Sequence, residues 1–192
     1  MTASYDYLFL TLGSVPAPHQ ALAERLTPSP QLVGQFAPQL GWATNEAALL
    51  VRGGAEDLIA RLSPPLVASF RRDRLKPTIR PADEDQPMPG GVYVHRWFEI
   101  AASAGDEFVK LSGQGWEHFE ARFDTRIFGL FRVEQTGADR AAGVMRLLLL
   151  TRYRDHGVWE ESRDPSTEAM QIFARRQQLT RRSWAASSRL LA

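Results

Sequence analysis

The sequence predicts an α+β fold made of two ferredoxin-like units in tandem, with antiparallel sheets around a shared core and the helices outside. The first observation is a repeated strand, because residues 4–12 and 92–100 both place aromatic or polar side chains on one face. The second is a Gly-x-Phe strand at Gly34 and again at Gly129, followed each time by a polar turn and an apolar run. Since self-similarity within a chain indicates a duplicated structural unit, we expect the order β-α-β-β-α in each half.

The first half is the shorter copy. After the opening strand, its predicted elements are a helix at 16–26, hairpin strands at 31–38 and 46–52, and helical segments at 55–62 and 65–74. We infer a shorter helix in this half because the offset between the two copies grows along the chain. It is 88 residues between Tyr5 and Tyr93 and 95 residues between Gly34 and Gly129.

A proline-rich segment separates the two halves. Residues 77–90 contain four prolines and an acidic triplet, and Gly90 and Gly91 follow as a pair. Prolines at this density prevent a helix or a central strand. We therefore expect an extended connector at 77–90 between a first half at 1–76 and a second half at 91–192.

The second half gives the clearer pattern. Strand 92–100 is followed by an acidic helix start and then by apolar residues at spacings of three and four, which predicts an amphipathic helix against a sheet. These apolar positions are Phe108, Leu111, Gly115, Phe119 and Phe123. Two strands follow at 125–134 and 144–154, joined by a connection with glycine at both ends.

The C-terminal region is predicted to end in a helix. A short segment at 156–163 precedes Asp164-Pro165, which reads as an N-cap followed by proline at the first helical position. The predicted inner face of this helix consists of Met170, Phe173, Gln177 and Trp184. The arginines expected mostly outside are Arg175, Arg176, Arg181 and Arg182.

Both faces of the predicted sheets need cover. Along strand 92–100, residues 93, 95, 97 and 99 point one way and the intervening residues the other, and neither set is cleanly polar. We therefore expect the two sheets to pack on each other in a barrel-like core within one chain.

Several segments of the second half resemble NIPSNAP-like domains. The similarity lies in residues 91–100, in Glu107-Phe108 with Gly115-Trp116, and in 128–134 and 148–163, and it covers about 90–190. The resemblance implies the dimeric α/β-barrel superfamily, which includes small monooxygenases, haem-degrading enzymes and stress-response barrels, and it implies a homodimer. It transfers no catalytic residue set. His95 stands where the family usually has leucine.

Composition narrows the function classes. The net charge is +1 over 192 residues, which favours neither nucleic acid nor an anionic membrane surface. The sequence contains no cysteine, no basic N-terminal segment typical of a signal peptide, and no apolar stretch long enough to span a membrane. A cytoplasmic location is therefore expected. Neither a phosphate-binding glycine loop nor a nucleophile elbow is present. The Arg-Arg pairs, including Arg71-Arg72, are predicted to lie on solvent-exposed faces of helices.

His95 is the main candidate for catalysis, since imidazole exchanges protons near neutral pH. The remaining candidate site consists of aromatic residues that would line a barrel pocket and charged residues on neighbouring strands. They are Tyr5, Tyr7, Phe9, Tyr93, Trp97, Glu99, Arg132 and Arg152. Arg132 and Arg152 could together clamp a carboxylate or phosphate. Equally, His95 could be a hydrogen-bonded core residue, with these arginines paired to Glu134 and Glu99.

Three functions stay open at this stage. The first is a barrel that binds a small apolar or aromatic molecule. The second is a cofactor-independent enzyme of monooxygenase, cyclase or isomerase type, acting on an aromatic or polyketide-like substrate with His95 as acid or base. The third is a haem-binding barrel with a single axial histidine. No cofactor and no metal site is predicted, because His19, His118 and His156 lack ligand spacing.

Overall fold

The structure, a computed structural model, describes residues 4–191. Residues 1–3, on which the expectation of no signal peptide partly rests, and residue 192 lie outside the described part. The first half contains β1 (Tyr5–Leu12), α1 (Pro18–Leu26), β2 (Leu32–Leu40), β3 (Glu46–Arg52), α2 (Glu56–Ile59) and β4 (Val67–Pro77). The second contains β5 (Val92–Ala101), a single 3-10 turn (Ala102–Ala104), α3 (Gly105–Arg122), β6 (Thr125–Val133), α4 (Gly137–Ala141), β7 (Val144–Tyr153), α5 (His156–Glu161), α6 (Glu168–Gln178) and β8 (Thr180–Leu190).

The strands form one closed antiparallel barrel in the order β1-β3-β2-β8-β5-β7-β6-β4. Within it, the first half has the order β4-β1-β3-β2 and the second half the same order, β8-β5-β7-β6. The halves join edge to edge through β2–β8 and β4–β6. The fold class predicted from the sequence is confirmed, and closure leaves no strand edge exposed in the barrel.

The helical segment predicted at 65–74 is wrong, because this region is β4. It pairs with β1 from Leu12 opposite Val67 to Tyr5 opposite Leu75. Along β4, Asp73 and Leu75 are buried while Arg74 between them is exposed, which is the alternation of a strand. Pairing with a distant strand overrides the local helical pattern.

The prediction of a long C-terminal helix is also wrong in part. Helix α6 begins at Glu168, is capped by Thr167 instead of Asp164, and ends at Gln178. The chain then forms β8, which pairs with both β5 and β2. Trp184 therefore lies on a strand. Arg176 is buried, although the helical pattern placed it outside.

Three apolar layers hold the barrel and its helices together. The barrel interior is filled by aromatic residues from both halves, chiefly Tyr5, Tyr7, Phe36, Tyr93, Trp97 and Phe131. The second-half helices cover the outer face of their sheet through Phe98, Phe108, Trp116 and Phe119. The first-half helices do the same through Leu8, Leu22, Leu49 and Leu58. Both sheet faces are thus covered, as the mixed strand pattern predicted.

The proline-rich connector runs across one end of the barrel, here called the connector end. Thr78 N donates to Leu130 O at 2.9 Å, and Leu130 N donates to Arg80 O at 3.1 Å. Further along, the Tyr93 hydroxyl donates to Met88 O at 2.7 Å. The opposite end, where β1 finishes and β4 starts, is called the open end. Between residues 4 and 191, no helix is long and apolar enough to cross a bilayer.

Candidate functional site

A buried chain of hydrogen bonds crosses the middle of the barrel. His95 on β5 is fully buried, and its Nδ1 lies 2.7 Å from the hydroxyl of Tyr7 on β1. Its Nε2 lies 2.7 Å from the hydroxyl of Ser188 on β8. The Ser188 hydroxyl in turn lies 3.5 Å from the backbone oxygen of Tyr93, to which it can donate. The chain joins both halves of the sequence.

One arrangement of protons satisfies every member of this chain. Tyr7 donates its hydroxyl proton to Nδ1, His95 donates from Nε2 to Ser188, and Ser188 donates to Tyr93 O. Burial lowers the pKa of His95 to about 3. Burial also raises the pKa of Tyr7 well above its usual value. Both groups are therefore neutral at physiological pH.

Aromatic rings enclose His95. The rings of Phe36 and Trp42 stand edge-to-face against the imidazole, at centroid distances of 4.7 and 5.3 Å. Tyr7 approaches at 5.8 Å. This packing is that of a hydrogen-bonded core histidine, the alternative left open by the sequence.

The open end of the barrel contains a cavity of about 470 Å³, here called the mouth cavity. Its aromatic lining consists of Phe9, Trp42, Phe70, Trp97 and Trp184. Its polar lining includes Thr11, Glu46, Ser69 and Arg71. Cavities of roughly 300–1,000 Å³ with apolar walls and a few polar groups are typical small-molecule sites.

The floor of the mouth cavity touches the buried network. Phe9 and Trp97 pack against Tyr7 at centroid distances of 4.9 and 5.4 Å, and Trp42 packs against His95. At the rim, Trp184 lies nearly parallel to Trp97, with an angle of 12° and centroids 6.3 Å apart. One layer of aromatic rings therefore separates the cavity from the imidazole.

The positive charge in the mouth cavity comes from Arg71 on β4. Its guanidinium lies 4.4 Å from the centroid of the Phe9 ring, and its side chain is 65% exposed. Arg71 also lies 3.5 Å from the buried carboxylate of Asp73. Asp73 has a second partner in Arg146, at 3.3 Å, so it stays paired if Arg71 turns towards a ligand.

The predicted aromatic residues are spread along the barrel axis. Tyr5 and Tyr93 lie at the connector end, where the Tyr5 hydroxyl accepts from Arg52 Nε at 3.3 Å. Tyr7 lies at the centre, bonded to His95. Trp97 lines the mouth cavity. The predicted aromatic residues thus all face the barrel interior, but they do not surround a single pocket.

The structure does not bring Arg132 and Arg152 together as an anion clamp. Arg132 lies between Phe131 and Val133, which face the interior, so its side chain points outward to Asp106 at 2.6 Å. Arg152 pairs instead with Asp124 at 2.6 Å. The partners of Arg132 and Arg152 are thus Asp106 and Asp124, and not Glu134 and Glu99, as the alternative reading of the sequence suggested.

Glu99 lies further towards the open end on β5. It stands opposite Arg146 of β7 and Arg182 of β8 in the strand registers. Its predicted role in binding stays untested.

Sequence reasoning missed Trp42, Arg71, Trp184 and Ser188 as site residues. Arg71 and Ser188 lie on β4 and β8, the two strands that local patterns assigned to helices. Trp42 lies in the turn between β2 and β3. The alternation of Ser69, Arg71 and Asp73 was the available signal for a strand with a polar inner face at its open end.

Haem does not fit the candidate histidine. Both ring nitrogens of His95 are engaged in hydrogen bonds, so axial ligation would break one of them. The cavity beside His156 has a volume of about 160 Å³, below the usual range for small-molecule sites. Within residues 4–191, no three metal-ligating side chains come together.

No protein-family model matches the sequence, and no curated protein matches it. The fold, in contrast, matches solved structures over nearly the whole chain. An anthrone oxidase-like protein gives a TM-score of 0.65 at 13% identity, covering 100% of this chain and 92% of that chain. A candidate monooxygenase from Fusobacterium nucleatum gives 0.66 at 9% identity, with 100% and 93% coverage. Another from Lactobacillus acidophilus gives 0.59 at 10% identity, with 99% and 94% coverage.

At these identities the likeness concerns the fold alone, and the narrower resemblance to NIPSNAP-like domains stays a prediction. TM-scores of 0.65 and 0.66 over nearly the full length of both chains show that the overall α+β architecture agrees. The chain therefore has the ferredoxin-like fold of dimeric α/β-barrel proteins.

Proposed function

We propose that this protein binds a planar aromatic molecule carrying an anionic group in the mouth cavity. The observation that carries the proposal is the combination of a 470 Å³ cavity, aromatic walls and one exposed guanidinium. Flat ligands gain apolar burial and stacking against the paired rings of Trp97 and Trp184. The site is thus suited to a small fused or substituted ring system.

The anionic group follows from the position of Arg71. Its planar guanidinium can hold a carboxylate or phenolate through two hydrogen bonds. Glu46 lines the same cavity but accepts a hydrogen bond from Ala43 N at 2.8 Å. We therefore place the ligand's negative group beside Arg71, away from the Glu46 carboxylate.

A second candidate function is cofactor-independent oxidation of such a ligand. Its support is that fold neighbours are described as an anthrone oxidase-like protein and as candidate monooxygenases. The reaction would convert a ring methylene into a ketone, R₂CH₂ + O₂ → R₂C=O + H₂O. Arg71 would stabilise the enolate that forms when the methylene loses a proton to a base.

The base in this second candidate is either Glu46 or His95. Glu46 already lines the cavity. His95, the acid/base residue expected from the sequence, reaches a ligand only if Trp42 moves aside. Its low pKa makes it a weak base in the closed arrangement. Binding therefore has stronger support than turnover.

Isothermal titration calorimetry with 2-naphthoate tests the binding proposal, with methyl 2-naphthoate as the uncharged control ligand. We expect naphthoate to bind more tightly than its ester. Arg71→Met should weaken naphthoate binding about tenfold, since a hydrogen bond to a charged group contributes about 1.5 kcal/mol or more. The matched control is Arg74→Met, on the same strand but outside the barrel, where Arg74 lies 3.7 Å from Glu134. Equal affinities in the two variants would contradict the proposal.

Oxygen consumption with anthrone separates binding from turnover. The oxidation candidate predicts enzyme-dependent uptake of one O₂ per anthrone and its loss in Glu46→Gln or His95→Gln. Tight binding without uptake would remove the second candidate and leave the first intact.

A further inference from the structure

A second, smaller cavity lies on the other side of β5, between the outer face of the sheet and helices α3 and α6. Its volume is about 40 Å³, and three arginines line it. Arg96 comes from β5, Arg163 from the segment after α5, and Arg176 from α6. We call this cavity the arginine pocket. The mouth cavity is separate from it, because neighbouring residues on a strand face opposite sides.

Arg176 forms the inner wall of the arginine pocket. Arg176 is only 8% exposed, and its Nη1 donates to the hydroxyl of Ser112 at 3.2 Å. Its guanidinium carbon lies 4.5 Å from the ring centroid of Phe173 and 5.0 Å from that of Phe98. These rings cover the cation and attract it weakly, but they carry no neutralising charge.

None of the three arginines has a carboxylate partner within residues 4–191. Other arginines of the chain do, as in the pairs of Arg72 with Asp6 and Arg80 with Glu120. A buried cation without a counterion is costly, so buried arginines are normally paired. The arginine pocket therefore concentrates positive charge that no carboxylate of the described residues neutralises.

The electrostatic effects on neighbouring groups agree with this geometry. Burial, together with the charges of Arg96 and Arg163, lowers the pKa of Arg176 to about 9. Burial raises the pKa of Tyr153, which lines the same cavity, and all three arginines oppose that rise. The three guanidiniums thus act on one small volume. A bound anion would relieve their mutual repulsion.

We propose that the arginine pocket binds a small anion, either a halide or a single oxyanion or carboxylate group. The volume sets this size, because a water needs roughly 10–15 Å³ of such space, so the pocket holds a group of only a few atoms. Tyr153 also lines the pocket beside the arginines, whereas the hydroxyl of Ser162 donates to Trp159 O at 2.7 Å. Arg163 is exposed, which gives an anion a route in from the surface.

Thermal unfolding of the full-length protein tests this site. The protein is placed in a zwitterionic buffer without added salt, and chloride, sulfate, phosphate or acetate is then added as the sodium salt, with the salts compared at equal ionic strength. We expect a saturable rise in Tm of about 3–10 °C with at least one of these anions, at concentrations 10–100-fold above its Kd. A rise with inorganic anions indicates a free ion as the natural ligand. A rise with acetate alone indicates the carboxylate of an organic molecule.

Two variants and a matched control assign the effect to the pocket. Arg163→Met, at the exposed edge, should abolish the rise in Tm without unfolding the protein. Arg176→Met should raise Tm in the buffer without added salt, since it removes a buried unpaired charge, and should no longer respond to the anion. Arg175→Met is the control, because Arg175 is exposed on the same helix and should respond like the wild type. The proposal is overturned if no anion gives a saturable rise, or if Arg163→Met responds like Arg175→Met.

Discussion

Glycine and phenylalanine two positions apart have the same role in both halves of the barrel. A Cβ added at Gly34 would lie 2.9 Å from Cζ of Phe36, and one at Gly129 would lie 2.9 Å from Cε2 of Phe131. Each glycine also lies at a shift in strand register, in β2 and in β6 respectively. The phenylalanine ring thus covers its glycine inside the barrel. The repeated Gly-x-Phe motif reflects this contact.

Substituting Gly129 by alanine should destabilise the protein. Its Cβ would lie 2.6 Å from Cδ of Pro81 and 3.0 Å from the backbone oxygen of Arg80, so the connector would have to shift. We expect a loss of about 1–3 kcal/mol in the free energy of unfolding, the usual cost of overpacking. Gly34→Ala should cost less, since its nearest atoms are side-chain ends.

Urea unfolding measures both effects, with Gly137→Ala as the control. Gly137 is the first residue of α4 and has nothing within 4 Å of an added Cβ, so its substitution should be nearly neutral. A Gly129→Ala variant as stable as Gly137→Ala would refute the role given to the close approach.

The buried histidine should make stability depend on pH. In the unfolded chain the imidazole takes up a proton near pH 6.5, whereas in the folded protein burial keeps His95 neutral down to about pH 3. Its contribution is therefore fully present above pH 6.5 and is lost as the pH falls towards 3. The slope attributable to this one group is about 1.4 kcal/mol per pH unit.

His95→Gln should remove that slope. The free energy of unfolding, measured between pH 7 and 4.5, should fall less steeply in the variant than in the wild type. The variant should also be less stable at pH 7, because Tyr7 or Ser188 loses a buried partner. Carboxylates contribute equally to both proteins, so identical slopes would show that His95 does not titrate as its burial requires.

At the scale of elements, local sequence patterns predicted the strands that pair with near neighbours and missed the fourth strand of each unit. The strands β1, β3, β5 and β7 lie close to their predicted bounds. In contrast, β4 pairs with β1 and β8 with β5, across long stretches of chain. Asp164-Pro165 correctly signals a nearby helix, but nothing local marks where that helix ends and β8 begins.

The candidate site was only partly predictable for the same reason. His95, Tyr7 and Trp97 lie on β1 and β5, whose inward faces could be identified from alternation. Arg71 and Ser188 lie on β4 and β8, and their inward direction follows only from pairing with strands remote in sequence. Ion-pair partners such as Asp106 for Arg132 depend on where α3 packs, which strand patterns do not specify.

Removing β8 should convert the barrel into a self-associating protein. A chain ending at Gln178 loses the strand that pairs with both β5 and β2, so two strand edges become exposed. Exposed edges template pairing with other chains. Size-exclusion chromatography with light scattering should therefore show aggregates or large oligomers. A truncated protein with the same distribution of masses as the full chain would contradict this view of β8.

The whole molecule shows contacts related by the repeat. Tyr5 of the first half packs against Phe131 of the second with centroids 5.3 Å apart, and Tyr93 packs against Phe36 at the same distance. In the repeat, Tyr5 corresponds to Tyr93 and Phe36 to Phe131. The two opening strands meet at the barrel centre through Tyr7 and His95, which also correspond. One copy thus supplies the hydroxyl donor and the other the imidazole acceptor.

Homodimerisation, predicted from the family resemblance, has to use the outside of this barrel. The seams β2–β8 and β4–β6 both form within one chain, so a second copy is not needed for closure. Exposed apolar side chains lie near the open end, with Leu40 63% and Trp184 40% exposed.

We expect light scattering to give about twice 21.6 kDa, and Leu40→Asp to weaken the dimer because it places a charge on this surface. Met88→Asp, at the exposed connector end, is the control. A mass of 21.6 kDa across concentrations would show that closing the barrel within one chain has replaced the dimer.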